Sequence, residues 1–396
     1  MSELIPVRLS DIANIVTGST PPSSQPDSWG DSLDFITPSD QSDTYREATP
    51  SRFLSVEGAK RLHKRIVPAR STNLTCIGST IGKVSMAMRD AVTNQQINSI
   101  VAKSGAAHPD FVYYLIKNWS GDLKQHASGS ATPIINKSTL SNYEFLVPDL
   151  TAQEAIAEVL VALDDKIAAN IKLAKTSDEL AGAFFRQALL SATYSDETFS
   201  DLAKVGGGGT PSTKKPEYWD GRVSWATPTD VTALSGPYLE KTSRTISEAG
   251  LAACSSELYP VGSILMTSRA TIGAFALAQA PTAVNQGFIV VQPHEPSLHF
   301  WLFHEMRSRV DEFISLANGA TFLELSRGNF KKFKVRQATP EIMAEFNETA
   351  AALHNAARAA LLENASLGTT RDALLPRLMS GKLRVNDAEK ILEEAL

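Results

Sequence analysis

Several residue groups in this chain are of types that do covalent chemistry, but none has the spacing that such chemistry needs. Gly206 to Gly209 offers a glycine run of the kind that cradles phosphate. A cradle must open onto a helix so that backbone N–H groups face the anion; here Thr210-Pro211 follows and reads as a turn. Gly78-x-x-x-Gly82-Lys83 is one residue short of a P-loop and ends on Val84 where a Mg-binding hydroxyl belongs. His294, His299 and His304 are five apart, which sends them to different faces of a helix and away from a shared zinc ion. There is no Asn-Pro-Pro-Tyr/Phe methyltransferase motif and nothing resembling a nuclease carboxylate cluster. Cys76 and Cys254 are too far apart for a C-x-x-C site, and free buried thiols in a reducing compartment are expected. The sequence supports binding and not catalysis.

Binding to nucleic acid needs other residue types: Lys, Arg and hydroxyls for phosphate, and Arg, Asn, Gln, Ser and Thr for base edges. Lys60, Arg61, His63, Lys64, Arg65 and Arg70 form one basic run, and Arg327, Lys331, Lys332, Lys334 and Arg336 another, with Lys214 and Lys215 adjacent in sequence. Such runs are as often plain solvated surface. Asn94-Gln95-Gln96 and Asn285-Gln286 have the side chains that pair with adenine.

The elements that must position these groups follow from composition and pattern. At 396 residues, 43% hydrophobic and 20% charged, the chain suits two or three folded domains. Met1 to Thr20 lacks a signal-peptide pattern. Even the most apolar stretch, Val261 to Ala280, carries Arg269 and Thr271 and falls short of a membrane span, so a cytoplasmic protein is expected. The net charge of -5 is unevenly placed. Residues 1–150 hold 14 Lys+Arg against 14 Asp+Glu, and residues 199–338 hold 14 against 12. The acidity sits in residues 151–198, with 4 against 8, and 339–396, with 6 against 9. A basic face on either large block therefore remains open.

Those blocks are copies of one another. Ser10-Asp11-Ile12-Ala13 returns as Ser200-Asp201-Leu202-Ala203, Thr20-Pro21 as Thr210-Pro211, Pro26 as Pro216, and Trp29 as Trp219. Phe35-x-Thr37-Pro38-Ser39-Asp40 returns as Trp225-x-Thr227-Pro228-Thr229-Asp230, again 190 residues on. Thr80-Ile81-Gly82 and Asn94-Gln95 recur at 191, and Ala127-x-Gly129 recurs at 190 as Ala317-x-Gly319. This is a tandem duplication. Within each block short β-rich runs such as Ile97 to Val101 and Gly287 to Val291 alternate with turn clusters, and one helix is expected at Pro109 to His126 and at Leu298 to Leu316.

Residues 151–191 contain no proline and one glycine, and Ile156, Leu160, Leu163, Ile167, Ile171 and Ala174 recur at helical spacing. The closing segment repeats this with Ile342, Phe346, Leu353, Ala360, Leu367 and Leu374, the last five seven apart. Moved back by 190, that frame falls on Ile156, Leu163, Asn170, Ser177 and Phe184. Forty residues of helix run about 60 Å and need a partner along the seam; the economical partner is the duplicate. Ala174, Ala181 and Ala360 would let the two approach closely, and Asn170 is a candidate for fixing register.

Two reading modules held apart by paired helices resemble the specificity subunit of type I restriction–modification systems. Gln153-Glu154-x-Ile156-Ala157 leading to Leu163-Asp164-Asp165-Lys166-Ile167 resembles that family's central spacer helix. Leu374-Leu375-Pro376-Arg377-Leu378-Met379-Ser380-Gly381-Lys382-Leu383 resembles its C-terminal signature. The Trp219 to Asp230 stretch and Ser268-Arg269-x-Thr271-Ile272-Gly273 look like its target-recognition domains. The closing helix departs from the pattern in lacking the Asp-Asp pair.

The resemblance implies a non-catalytic subunit that brings double-stranded DNA to two methyltransferase subunits, and to restriction subunits in the full nuclease. It implies no cofactor in this chain; the partners would use S-adenosylmethionine, ATP and Mg. A specificity protein of another restriction class and a coiled-coil scaffold that reads no DNA are the alternatives. The expected fold is α+β: target-recognition domains at 1–150 and 199–338, and an antiparallel coiled-coil spacer from 151–198 and 339–396. Asp164, Asp165, Lys166, Glu179 and Arg377 are expected on exposed helix faces that dock partners.

Half-sites differ, so base-reading residues belong where the copies differ, and the shared Asn-Gln pair is expected to be structural. Ser79, standing where the second copy has Arg269, and the divergent loops Gln41 to Tyr45 and Val231 to Ser235 are the candidates for specificity, with Thr80, Gln96 and Thr271 beside them.

Overall fold

A computed structural model of the chain describes residues 3–42, 45–127, 134–317 and 323–395. Gly129 and Gly319 of the repeated Ala-x-Gly motif, and residues 43–44 of the first divergent loop, lie outside the described residues. Two compact units form, Met1–Ala169 with Glu363–Leu396, and Asn170–Leu362. Each takes one strand-rich domain and half of each long helix, so the helices do not stand as separate domains.

In the first unit a sheet runs in the order Ala13–Thr17, Ile97–Ala102, Thr72–Thr75, Val84–Met86. A second runs Trp29–Gly30, Arg52–Leu54, Leu33–Ile36, Ala91–Thr93, its last pair parallel. Ile5–Arg8 pairs with Glu144–Val147. The second unit repeats the plan with Ala203–Gly206, Phe288–Pro293, Ile264–Thr267, Phe275–Ala278 and Tyr238–Leu239 in one sheet, and Arg244–Ile246, Trp219–Ala226 and Thr282–Val284 in the other. Thr193–Thr198, expected at the end of the spacer, is a strand paired with Lys334–Gln337.

The run Phe288–Val291 is continuously apolar because its sheet is covered on both faces. Ile289 and Val291 pack with Ile264, Met266 and the helix residues Trp301, Leu302 and Phe303. Phe288 and Val290 pack with Leu265, Ala276 and Ala278 on the other side. The covering helix spans Pro109–Ala127 in the first unit; its counterpart breaks at Arg309 into His299–Ser308 and Val310–Ser315.

The duplicated residues are scaffold. Thr37 and Asp40 form a capping box, as do Thr227 and Asp230. Asp40 also accepts from Ser51, and Asp230 from the Ser243 backbone N–H. The turn glycines Gly18 and Gly208 leave no room for a Cβ, which would lie 2.1 Å from Asn94 O and 1.8 Å from Val284 O. That close approach, and not a phosphate cradle, accounts for the glycines there. Asn94 Oδ1 accepts from the Gln96 N–H at 3.1 Å, and Asn285 Oδ1 from the Gly287 N–H at 2.8 Å. Gln95 and Gln286 each accept from a threonine hydroxyl, Thr20 and Thr210, at 2.7 Å.

The long helices span Leu150–Ala188 and Pro340–Met379, 39 and 40 residues, or about 60 Å each. They pair antiparallel within each unit. In the first, Lys166 meets Glu363 at 3.4 Å and Asn364 Nδ2 donates to Ile167 O at 3.2 Å. In the second, Phe185 meets Phe346 with ring centroids 5.3 Å apart. The buried stripe has two heptad positions: Gln153, Leu160, Ile167, Ala174 and Ala181 accompany Ile156, Leu163, Asn170 and Ser177. The predicted frame slips in the second unit, where Phe185 and His354 are buried instead of Phe184 and Leu353. A strict seven-residue frame drifts by about 20° per heptad on a straight helix, which hands burial to the next residue. Gly381, at φ 67°, ends the second helix with a bond from its N–H to Leu378 O. Beyond it the tail forms a further helix, Val385–Ala395. Among the described residues no helix is long and apolar enough to cross a membrane.

Candidate nucleic-acid interface

A polar cleft opens on the surface of the second unit, lined by Gly208, Ser268, Arg269, Gln286, Glu324, Ser326, Arg327 and Lys331. The tip after strand Ile264–Thr267 supplies Arg269, and Ser326 caps the short helix Arg327–Phe330, accepting from the Asn329 N–H at 3.1 Å. Arg269 Nη2 forms an ion pair with Glu324 Oε1 at 2.7 Å, with both side chains 43% exposed. Arg327 lies over Gly207, where a Cβ would meet its Cδ at 2.9 Å. Arg327, Lys331 and Lys332 are exposed and have no carboxylate partner among the described residues. Lys334 and Arg336 of the same run are committed elsewhere, Lys334 to Asp196 at 2.8 Å and Arg336 to the fully buried Glu305. Thr271 is exposed at the same tip, its carbonyl accepting from the Thr267 hydroxyl. Lys214 is exposed, and Lys215 donates to the Tyr218 hydroxyl at 3.0 Å over that ring.

In the first unit the basic run splits in the same way. Arg61 is held by Asp27 at 2.8 Å and Glu57 at 3.5 Å, and Arg65 donates to Thr17 O. The Asp27 carboxyl is held below its usual range by the Arg61 hydrogen bond. Arg70, at φ 65°, pairs with Asp110. Lys60 and Lys64 stay exposed without such a partner among the described residues. Gln96 is half-buried and accepts from Asn94 Nδ2 at 3.1 Å.

Ser79 is not the counterpart of Arg269. Cys76 and Ser268 occupy the same backbone frame, each donating its N–H across the sheet, to Gln96 O and Gly287 O. Ile77 then bridges Ile134 as Arg269 bridges Glu324, and Gly78 at φ 90° matches Ala270 at φ 59°. Ser79 is an extra residue of the first copy, exposed beside the half-buried Thr80.

The expected docking faces need a larger correction. Asp164 is 6% exposed. It accepts from Arg371 at 2.7 Å and from the Tyr114 hydroxyl at 2.6 Å, tying both helices to the first domain. Burial, and then the Asp164 charge, push the Tyr114 hydroxyl well above its ordinary value. Asp165 pairs with Arg46 at 2.8 Å while keeping 60% of its side chain exposed, and Lys166 pairs with Glu363. Glu179 and Arg377 are exposed; Glu179 pairs with Lys175 at 3.9 Å. Of the proposed docking residues, Asp164 is therefore internal.

Sequence reasoning missed two duplicated features. Arg52 stacks 3.5 Å over Trp29, and Arg244 stacks 3.6 Å over Trp219; their offset of 192 hid them. Lys137 follows the cap Asn136 as Arg327 follows Ser326, exposed in both copies at the same offset of 190.

A family model described as "Type I restriction modification DNA specificity domain" matches residues 1–175 and 193–340. The MjaIX type I restriction enzyme specificity subunit of Methanocaldococcus jannaschii is 36% identical over 143 residues, which are 36% of this chain and 33% of that protein. The HindI specificity subunit of Haemophilus influenzae is 34% identical over 165 residues, 41% of this chain and 36% of that one. The matches thus span about a third of each relative's length. A crystal structure of the type I restriction-modification S subunit from M. genitalium aligns with TM-score 0.60 at 13% identity, over 95% of this chain and 96% of that one. At that identity the likeness is one of fold.

Proposed function

We propose, from the premise that this chain belongs to the type I restriction modification DNA specificity family, that it is the non-catalytic subunit selecting DNA sequence for a methyltransferase complex. Each strand-rich domain reads one half of a split target, and the paired helices hold the distance between the halves. About 60 Å of helix covers more than one turn of B-DNA, which repeats every 34–36 Å or so.

The observation that carries this reading is the division of labour within the duplication. Residues that the copies share cap turns and brace sheets, while the surface bridge differs between them, Arg269 and Glu324 in one copy against Ile77 and Ile134 in the other. Arg327, Lys331, Lys332, Lys60, Lys64 and Lys137 supply phosphate contacts. With a chain charge of -5, part of the DNA affinity comes from partner subunits. Those partners are two methyltransferase subunits docked on exposed helix residues such as Asp165, Glu179 and Arg377, joined by restriction subunits in the nuclease. S-adenosylmethionine, ATP and Mg serve the partners, and the complex works in the cytoplasm.

Co-expression with methyltransferase subunits followed by sequencing of methylated bases tests this. A split motif that appears only with this chain is expected. Methylation that is independent of the chain, or an uninterrupted motif, would overturn the proposal.

A further inference from the structure

We infer that Arg269 and Glu324 read a guanine–cytosine pair in one half-site, and that Ile77 and Ile134, at the same place in the first domain, read a thymine in the other; this rests on the DNA-reading function proposed above. In both copies the residue after the cross-sheet N–H donor, Cys76 or Ser268, bridges a residue of the segment that leads to a capped helix. The fold is indifferent to what stands on that bridge, since an apolar pair and an ion pair occupy it equally well. Both pairs reach solvent: Arg269 and Glu324 have 43% of their side chains exposed, and Ile134 is 60% exposed beside the half-buried Ile77.

The chemistry of each pair selects a base. Glu324 Oε1 lies 2.7 Å from Nη2 of Arg269 and holds the guanidinium at the bridge by charge. The remaining N–H donors can make the two-pronged contact to guanine O6 and N7, and the second carboxylate oxygen can accept from the cytosine N4 amino group beside it. Lysine cannot reproduce that fork. Ile77 and Ile134 offer no donor or acceptor beyond the backbone and suit the C5-methyl of thymine. Arg327 and Lys331 line the same cleft as Arg269 and stand ready for the flanking phosphates.

The full chain, assembled with methyltransferase subunits, is tested by sequencing methylated bases for the wild type, Arg269→Ala, Arg269→Lys and the Ile77→Ala/Ile134→Ala double variant. Both arginine variants should lose about 5- to 150-fold of the preference at one guanine–cytosine position in one half-site. The isoleucine variant should relax one thymine position in the other half-site. A motif unchanged in the arginine variants, or altered only at A·T positions, overturns this inference while a persisting split motif leaves the DNA-reading function standing. A wild type without any split motif overturns that function itself. If Arg269→Ala fails to assemble, Arg269→Lys decides, since it keeps the charge toward Glu324; an unchanged motif there also overturns the inference.

Discussion

Where the covering helix meets the long helices, the two units solve one problem with opposite chemistry. Tyr114 and Asp164 in the first unit correspond, 190 residues on, to His304 and His354 in the second. The first pair sits in a charged network with Arg371, close to the Arg46 pairs with Asp110 and Asp165. The second is a neutral chain in which His304 Nε2 meets His354 Nε2 at 3.0 Å and the Tyr238 hydroxyl meets His354 Nδ1 at 2.8 Å. One position further, Leu115 is replaced by Glu305, which is fully buried between Arg309 and Arg336. Divergence after duplication therefore reached the joints as well as the reading surfaces, and it moved the buried charge from the helix seam to the domain.

The largest effect is expected at Glu305. Glu305→Leu installs the residue of the first copy but takes the buried carboxylate from Arg336 and from Arg309, which keeps Glu312, and should cost the second unit about 3 kcal/mol. Urea unfolding followed by hydrogen exchange in peptides of each unit would measure it, and a loss under about 1 kcal/mol would show that the arginines find other partners. Arg371→Ala should cost the first unit about 3 kcal/mol by leaving Asp164 without its cation. The same measurement checks it, and an equal loss in the second unit would break the comparison.

Acid should separate the two units next. Burial lowers His304 to about 3 and His354 to about 4, from an ordinary 6.5. Asp178, which opposes this at both rings, is itself engaged by Arg307 at 2.6 Å. Both imidazoles are thus neutral in the folded state, while the unfolded chain takes up protons below pH 6.5. Their contribution is fully present above that pH and is lost as pH falls from 6.5 toward 4, by up to about 1.4 kcal/mol per imidazole per pH unit. Hydrogen exchange at pH 6.5 and 5 should show the second unit loosening first; equal loosening would refute the neutral pair. The smallest effect belongs to Ala270, whose left-handed φ of 59° sits where the first copy has Gly78. Ala270→Gly should stabilise by about 0.5–1 kcal/mol or leave stability unchanged, and Gly78→Ala should cost about 1 kcal/mol, read as melting temperatures.

The duplication and the long helices were legible in the sequence because they rest on local rules. Caps such as Thr37-Pro38-Ser39-Asp40 bond within three residues, and heptads repeat along one helix. What was illegible depends on distant partners. Asp164 read as a surface acid because its cation, Arg371, lies 207 residues away, and Gln153 and Arg371 do not announce a buried seam. Arg52 and Arg244, and the match of Ile77 with Arg269, were hidden by a local offset of 192 that only the hydrogen-bond frame reveals.

In the function proposed above, each domain reads its own half of the target. Replacing residues 199–338 by a second copy of residues 9–148, then sequencing the bases methylated by the assembled complex, tests it most directly. A split motif in which both halves carry the sequence of the first half-site is expected. A motif that keeps its second half after the exchange would contradict it.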